Sequence, residues 1–307
     1  MRVLITGASG FVGRWLAKAL TDGGHAIIDI GTEVDVTDRA AIGKTISGAA
    51  PDAIVHLAAV AFAPDASADP GAAYSVAIGG TVNVLEAVRT LPRPSVVLVT
   101  GSSEVYGEPH PDDLPLRESS ALRPRSPYSL SKAAQESVAL AYAARYGLSI
   151  VVTRSFNHTG PGQRPVFVVP ALAGRVRAFA AGEAPDIPVG NLDVRRDLMD
   201  VRDVTDAYRR ILEAQATGGV AVGGLVLNVC SGRSVAIRDV LDELCRLAGV
   251  EPVIRVDPKL VRANDPAEIR GDATAVQALT GWAATTPLTK TLADVWAALP
   301  GPTTRGA

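Results

Sequence analysis

The sequence has 307 residues, of which 47% are hydrophobic and 20% are charged, and its formal net charge is −2 at pH 7. This composition is that of an ordinary globular protein with enough apolar residues for a large core. The near balance of charge argues against a broad electrostatic surface for nucleic acid or an anionic membrane. The two cysteines, Cys230 and Cys245, are too few for a disulfide framework.

The sequence also shows no membrane span or signal peptide. No apolar run reaches the ~18–20 residues of a membrane span. Met1 is followed directly by the strand-like segment 2–6, without the basic stretch and cleavage site of a signal peptide. We therefore expect a cytoplasmic protein.

The first half of the chain alternates short β-rich runs with amphipathic helical stretches. The pattern predicts strands at 3–5, 26–28, 53–57, 96–99 and 150–152, and helices at 11–20, 37–47, 82–88 and 128–146. Apolar strands that alternate with helices indicate a parallel sheet covered on both faces. The prediction is an α/β fold built on a doubly wound Rossmann sheet.

The second half is more irregular. A Gly/Pro-rich loop follows Phe156, and a late strand at 225–229 is expected to return to the main sheet. We expect a dinucleotide-binding domain over 1–160, joined by 221–230. A smaller interleaved C-terminal substrate-binding lobe is expected from 161–220 and 231–300, followed by a tail at 301–307.

A glycine-rich segment directly follows the first strand and opens the first helix. Gly7 suits a tight turn, Gly10 allows the backbone to approach a pyrophosphate, and Gly13 allows the helix to pack on the strand. The helix N-terminus supplies N–H groups for phosphate. This arrangement predicts NAD or NADP binding, and either Asp29 or Asp35 is placed to reach the adenosine.

Tyr128 and Lys132 form a Y-x-x-x-K pair at a predicted helix start marked by Pro127. Residues four apart share one face of a helix. A lysine ammonium beside a phenol is expected to lower the pKa of the phenol and favour acid–base chemistry. The pair therefore predicts a catalytic site.

Polar residues follow the strand at 96–99, where the crevice of a parallel sheet binds ligands. Ser102 or Ser103 is placed to hydrogen-bond a substrate oxygen, and Glu104 is either a base or a turn cap. The four histidines, His25, His56, His110 and His158, are scattered without metal-ligand spacing, so we expect no metal site.

These motifs together resemble those of the extended short-chain dehydrogenases/reductases, the NAD-dependent epimerase/dehydratase family. The resemblance rests on the glycine triplet, HLAA at 56–59, GSSEVYG at 101–107 and YSLSK at 128–132. FNHTGPGQ at 156–163 is similar to the matching segment of bacterial GDP-6-deoxy-D-mannose reductases. GNLDVRRD at 190–197 resembles segments of both those reductases and the GDP-mannose 4,6-dehydratases.

The resemblance implies a role for each matching residue. It implies catalysis by Ser102, Tyr128 and Lys132, with Glu104 where dehydratases have a base. It implies cofactor contacts at Phe11, Val12, Leu57, Ala58 and Ala59 besides the glycines and the Tyr–Lys pair, and substrate contacts at Asn157, Arg196, Arg262 and Asp265. Two positions depart from the family pattern: Ala77 replaces a frequent Asn, and Asp265 replaces a usual Glu.

The expected reaction is the NAD(P)H-dependent reduction of GDP-4-keto-6-deoxy-D-mannose to GDP-D-rhamnose. GDP-mannose 4,6-dehydratase is the main alternative, and another nucleotide-sugar epimerase or dehydratase activity also stays open. The expected partners are a nucleotide-sugar substrate, with a GDP-sugar favoured, and a second copy in a homodimer.

Overall fold

The computed structural model describes residues 1–30, 34–218, 224–261 and 265–300. The strands are β1 (Arg2–Thr6), β2 (Ala26–Asp29), β3 (Ala53–His56), β4 (Val96–Thr100), β5 (Ile150–Ser155), β6 (Asn157–Thr159), β7 (Ile187–Val189), β8 (Arg195–Asp200), β9 (Leu225–Val229), β10 (Ser234–Ala236), β11 (Ile254–Val256) and β12 (Glu268–Ile269). The α-helices are α1 (Phe11–Asp22), α2 (Arg39–Ala49), α3 (Ala63–Ala68), α4 (Pro70–Tyr74), α5 (Thr81–Arg89), α6 (Pro127–Tyr146), α7 (Val168–Ala180), α8 (Val201–Ala216), α9 (Ile237–Ala248), α10 (Thr274–Thr280) and α11 (Leu288–Ala297). A π-helix, Ser75–Gly80, joins α4 to α5.

The main sheet has six strands in the order β2-β1-β3-β4-β5-β9, and every neighbouring pair is parallel. Its central strands are buried along their whole length, as their continuous apolar runs predict. The α/β prediction is confirmed. The strand order reverses at β1, so a ligand crevice is expected beyond the carboxyl ends of β1 and β3.

Helices cover both faces of this sheet. On one face α2, α5 and α6 bury Ile42, Ile46, Val84, Leu85 and Ala139 against the strands. On the other face α1 and α8 bury side chains that include Leu16, Leu20, Val204, Tyr208 and Ile211.

A third hydrophobic cluster joins α7, α9 and α11 through Leu172, Val176, Leu244 and Val295. The segment 161–220, expected to lie wholly in the C-terminal lobe, therefore divides: α7 packs in this cluster, whereas α8 packs on the main sheet. The reason is that the apolar face of α8 fits beside α1 over β1 and β4.

Short strands build the rest of the lobe. β8 pairs with β6, β10 and β12, and β7 pairs with β11. Because β6 directly follows β5, this second sheet begins at the carboxyl edge of the main one. No helix in the described parts of the chain is both long and apolar enough to cross a membrane.

Candidate active site

The glycine-rich loop crosses from β1 to α1 beside the end of β3. Gly7 has φ +74°, a left-handed conformation that favours glycine, and a Cβ there would lie 3.0 Å from the Ala58 nitrogen. A Cβ on Gly13 would collide with the Gly7 carbonyl. The loop therefore packs backbone against backbone at Gly7 and Gly13, and it forms a backbone cradle at the start of α1.

The cradle fits the pyrophosphate of NAD(P). Gly10 is the N-cap of α1 and supplies no side-chain cap, so the first N–H groups of the helix meet no side-chain acceptor at the cap. Such a helix N-terminus attracts phosphate. Phe11 and Val12 are the first residues of the helix, and the Leu57 N–H donates to the Thr6 carbonyl at 3.1 Å, which aligns the segment 57–59 with the loop.

The two candidate adenosine contacts lie beyond β1. Asp29 ends β2, where its backbone pairs with Ile5, and its side chain is outside the described residues. Asp35 accepts a hydrogen bond from the Thr37 N–H at 2.8 Å, and bonding from Thr37 lowers the pKa of its carboxyl. Their role toward adenosine stays a prediction.

Tyr128 lies in the first turn of α6. Ser126 caps this helix: its Oγ accepts from the Ser129 N–H at 3.0 Å, and Ser129 Oγ accepts from the Ser126 N–H at 2.9 Å. Ser102 follows β4, and its hydroxyl lies close enough to the Tyr128 phenol to lower the pKa of that phenol. The end of β4 and the start of α6 thus bring the predicted serine and tyrosine together.

The charge environment of Tyr128 differs from our expectation. Burial raises the pKa of the Tyr128 phenol, the nearby Glu104 carboxylate raises it further, and the Ser102 hydroxyl offsets part of the rise. Lys132 does not lower the pKa as expected, because its ammonium is directed to the Thr100 carbonyl oxygen (2.8 Å) and Gln135 Oε1 (3.0 Å). The phenol therefore keeps its proton at neutral pH and can act as an acid.

Lys132 is 4% exposed, and burial lowers its pKa from 10.5 to about 8. Its two hydrogen bonds are to neutral oxygens. Burial thus opposes the charge of the ammonium, and these two hydrogen bonds favour the charged form.

A cleft of about 270 Å³ extends from Glu104 into the C-terminal lobe, and Ser102, Tyr128 and Lys132 are not among the residues that line it. Four predicted residues line it: Glu104, Asn157, Arg196 and Asp265. Ser103 does not line this cleft in the described part of the chain and is buried (6%) in the 3₁₀ turn Ser103–Tyr106. The backbone at Ser102 is extended, so successive side chains leave it on opposite sides.

Arg196 lies on β8, half-buried at the wall of the cleft. It forms an ion pair with Asp265 and donates to the carbonyl oxygens of Arg195 (2.7 Å) and Pro266 (2.8 Å). The structure thus brings Arg196 and Asp265 together, whereas Arg262 lies outside the described residues. These bonds fix the Arg196 guanidinium at the wall of the cleft.

Two residues that line the cleft, His158 and Arg175, were not predicted as site residues from the sequence. The His158 ring is stacked beside Phe11 (ring centroids 6.4 Å apart), and its Nδ1 lies 2.9 Å from the Phe156 carbonyl oxygen. Arg175 donates to the Pro188 carbonyl oxygen at 3.0 Å, and burial lowers the pKa of its guanidinium. Val168, Leu172 and Arg175 lie on one face of α7, so a lone arginine on an apolar helix face was the available signal.

Comparisons with known proteins show the family of this chain. The sequence pattern of the "NAD dependent epimerase/dehydratase family" matches residues 3–230. The GDP-6-deoxy-D-mannose reductase of Pseudomonas aeruginosa is 35% identical over 286 residues, which cover 92% of this chain and 91% of that protein. The GDP-6-deoxy-D-talose 4-dehydrogenase of Aggregatibacter actinomycetemcomitans is 29% identical, over 89% of this chain and 88% of that protein.

Solved structures show the same relationship. The structure of RMD from Pseudomonas aeruginosa complexed with NADPH superposes with a TM-score of 0.88 at 33% identity, covering 97% of this chain and 98% of that one. The UDP-glucose 4-epimerase of Thermus thermophilus in complex with NAD gives a TM-score of 0.81 at 27% identity, with the same coverages. The expected cofactor, NAD or NADP, is confirmed, and the chain is an NAD(P)-dependent enzyme that belongs to the NAD-dependent epimerase/dehydratase family.

Proposed function

We propose that the protein reduces the 4-keto group of GDP-4-keto-6-deoxy-D-mannose with NAD(P)H and so forms GDP-D-rhamnose. The observation that carries the proposal is the buried, protonated phenol of Tyr128 in the first turn of α6, close enough to Ser102 and Glu104 for both to act on its pKa. A protonated acid at this place is what ketone reduction requires. The 35% identity to a GDP-6-deoxy-D-mannose reductase supports the same substrate class.

The residues have complementary roles in this reaction. A reduced nicotinamide supplies a hydride when it is bound. Tyr128 donates its proton to the carbonyl oxygen of the sugar, and Ser102 orients that oxygen by a hydrogen bond. Lys132 holds the ribose next to the nicotinamide. Arg196 and Asn157 bind the diphosphate, which keeps the sugar at the tyrosine.

One observation supports a second candidate. Glu104 lines the cleft and raises the pKa of Tyr128, so its carboxylate acts on the same small region. A carboxylate there is suited to remove a proton from the sugar, as a GDP-mannose 4,6-dehydratase or a related epimerase/dehydratase would require. The reductase remains the preferred assignment because of the similarity to the reductase of Pseudomonas aeruginosa.

We also infer that the protein forms a homodimer through α5 and α6. Their outer faces expose Leu130 (45%) and Tyr146 (41%), and the Arg89 guanidinium lies 5.1 Å from the centre of the Tyr146 ring. Aromatic and arginine side chains are enriched in protein interfaces. Light scattering after size exclusion should give twice the mass of 31.8 kDa, and a monomer at micromolar concentration would contradict the inference.

The test of the function separates the two candidates by product mass. The purified protein is incubated with GDP-mannose alone, and separately with GDP-4-keto-6-deoxy-D-mannose and either NADH or NADPH. A reductase leaves GDP-mannose unchanged and adds two hydrogens to the keto sugar. Loss of water from GDP-mannose without added reductant would instead identify a dehydratase.

A further inference from the structure

A continuous chain of buried hydrogen bonds joins the glycine loop to Lys132. Thr6 Oγ1 and His56 Nδ1 are 2.7 Å apart, and His56 Nε2 lies 3.0 Å from Thr81 Oγ1. Gln135 Nε2 donates to Thr81 Oγ1 at 2.9 Å, and Lys132 Nζ donates to Gln135 Oε1 at 3.0 Å. All five side chains are at most 4% exposed, so water does not compete for these bonds.

The donor and acceptor of each hydrogen bond follow from the number of protons that each group carries. The Thr81 hydroxyl donates to the Ala77 carbonyl oxygen at 2.6 Å, so it accepts from both His56 and Gln135. His56 therefore carries its proton on Nε2, and its Nδ1 accepts from the Thr6 hydroxyl.

The same donor and acceptor assignment determines the orientation of the Gln135 side-chain amide. Because its NH₂ group donates to Thr81, its oxygen faces the Lys132 ammonium. A flipped amide would place N–H against N–H at the lysine and leave Thr81 with one donor fewer. The orientation of Gln135 is thus determined by Thr81 and, through it, by His56.

Within the described parts of the chain, the Lys132 ammonium has no counter-ion close by. On the β3 side it faces His56, which is neutral because burial, together with the charge of Lys132, lowers its pKa to about 3. On its own helix the nearest titratable groups are Tyr128, which is protonated, and Glu136, which is paired with Arg154. Glu104 belongs to the turn after β4, and its charge acts on Tyr128. Among the described residues, no carboxylate lies within 4 Å of Lys132 Nζ.

We propose that Gln135, oriented by Thr81 and His56, is a positioning residue that holds the Lys132 ammonium ionised and directed toward a bound nicotinamide cofactor. It supplies the acceptor that a carboxylate would otherwise supply, without adding a negative charge next to the reacting proton. The inference rests on the proposed contact between Lys132 and the cofactor, and it does not depend on which sugar nucleotide is reduced.

The test measures NADPH binding by fluorescence from pH 6 to 10. In the wild-type protein, affinity should fall as Lys132 loses its proton. Gln135→Glu places a carboxylate against the ammonium, so the midpoint of this fall should move up by about 1–3 pH units. Gln135→Leu removes an acceptor from the charged form, so the midpoint should move down.

Opposite shifts of the midpoint in the two Gln135 variants indicate positioning, because a structural effect would shift both midpoints in the same direction. Ser137→Glu is the matched control, because it adds the same charge on an exposed face of the same helix and should leave the midpoint unchanged. Lys132→Met should remove the pH dependence altogether. Thr81→Val should repeat the downward shift of Gln135→Leu, and Thr81→Ser should not.

Several results would overturn the proposal. These are equal midpoints in the wild type and both Gln135 variants, shifts in one direction only, or a shift in Ser137→Glu as large as that in Gln135→Glu. Measurable NADPH binding at pH 7 shows that a variant is folded. If the protein did not reduce the keto sugar, the proposed function would be wrong. The NADPH-binding experiment would still test the role of Gln135.

Discussion

The buried ion pair between Arg154 and Glu136 should be a principal determinant of stability behind the active site. Arg154 Nη2 lies 2.5 Å from Glu136 Oε1, and Nε donates to Oε2 at 2.9 Å; both side chains are only 5% exposed. Arg154 Nη1 also donates to the Tyr106 hydroxyl and the Glu118 carbonyl oxygen, both at 2.9 Å. Burial alone would lower the pKa of Arg154, but the bonds with Glu136 and Tyr106 outweigh it and raise the pKa.

Glu136→Leu should therefore leave a buried guanidinium that cannot lose its proton. Breaking a buried pair in this way costs about 3–5 kcal/mol. Removing both partners in Glu136→Leu/Arg154→Met should recover most of that loss, since the uncompensated charge is then absent. The two free energies of unfolding are measured by urea denaturation with circular dichroism.

The control is Asp22→Leu, which breaks the exposed pair with Lys18, where both side chains are more than 60% exposed. This change should cost less than about 1 kcal/mol. The reasoning would be refuted if Glu136→Leu cost no more than Asp22→Leu, or if the double variant were less stable than Glu136→Leu alone.

Four further predictions concern the candidate active site. Tyr128→Phe should lower kcat by about 10²–10⁴-fold with little change in NADPH affinity, because it removes only the acid. Steady-state kinetics measures kcat and fluorescence measures the affinity. Unchanged turnover would exclude Tyr128 as the proton donor. Glu104→Gln should keep substantial ketone reduction in an assay of NADPH oxidation, and collapse of that activity would give Glu104 a role in reduction. Arg196→Ala should weaken GDP binding by about 2–3 kcal/mol in calorimetry, since it removes charge-assisted phosphate bonds. In the same titrations Arg175→Ala should weaken GDP more than UDP, because a guanidinium suits the two acceptors of guanine, and equal losses would place Arg175 away from the base.

The local motifs of the site could be predicted because their physics is local. Gly7, Gly10 and Gly13 are required by one tight turn between β1 and α1, and the Tyr128–Lys132 spacing follows from a single helix. The six-stranded parallel sheet followed from continuous apolar runs. In each case the residues that define the feature are close together in the chain.

The features that the sequence did not reveal depend on contacts between distant segments. His56 and Gln135 are 79 positions apart and meet only through Thr81 on a third element, so no spacing rule connects them. The raised pKa of Tyr128 comes mainly from burial, which a motif does not report. The packing of α8 on the main sheet was likewise set by its fit beside α1.

The pairing of Asp265 with Arg196 was missed for a similar reason. The two residues are 69 positions apart and meet because β8 and β12 are neighbours in the second sheet. Resemblance alone gave each of them a contact with substrate. The structure adds that one orients the other.

Transfer of deuterium from the cofactor tests the proposed reduction most directly. The protein is incubated with GDP-4-keto-6-deoxy-D-mannose and NADPH, or NADH, deuterated at nicotinamide carbon 4, and the product is examined by mass spectrometry and proton NMR. The account predicts GDP-D-rhamnose with one deuterium at sugar carbon 4. Recovery of unreduced keto sugar with both cofactors, when the protein binds them, would contradict it.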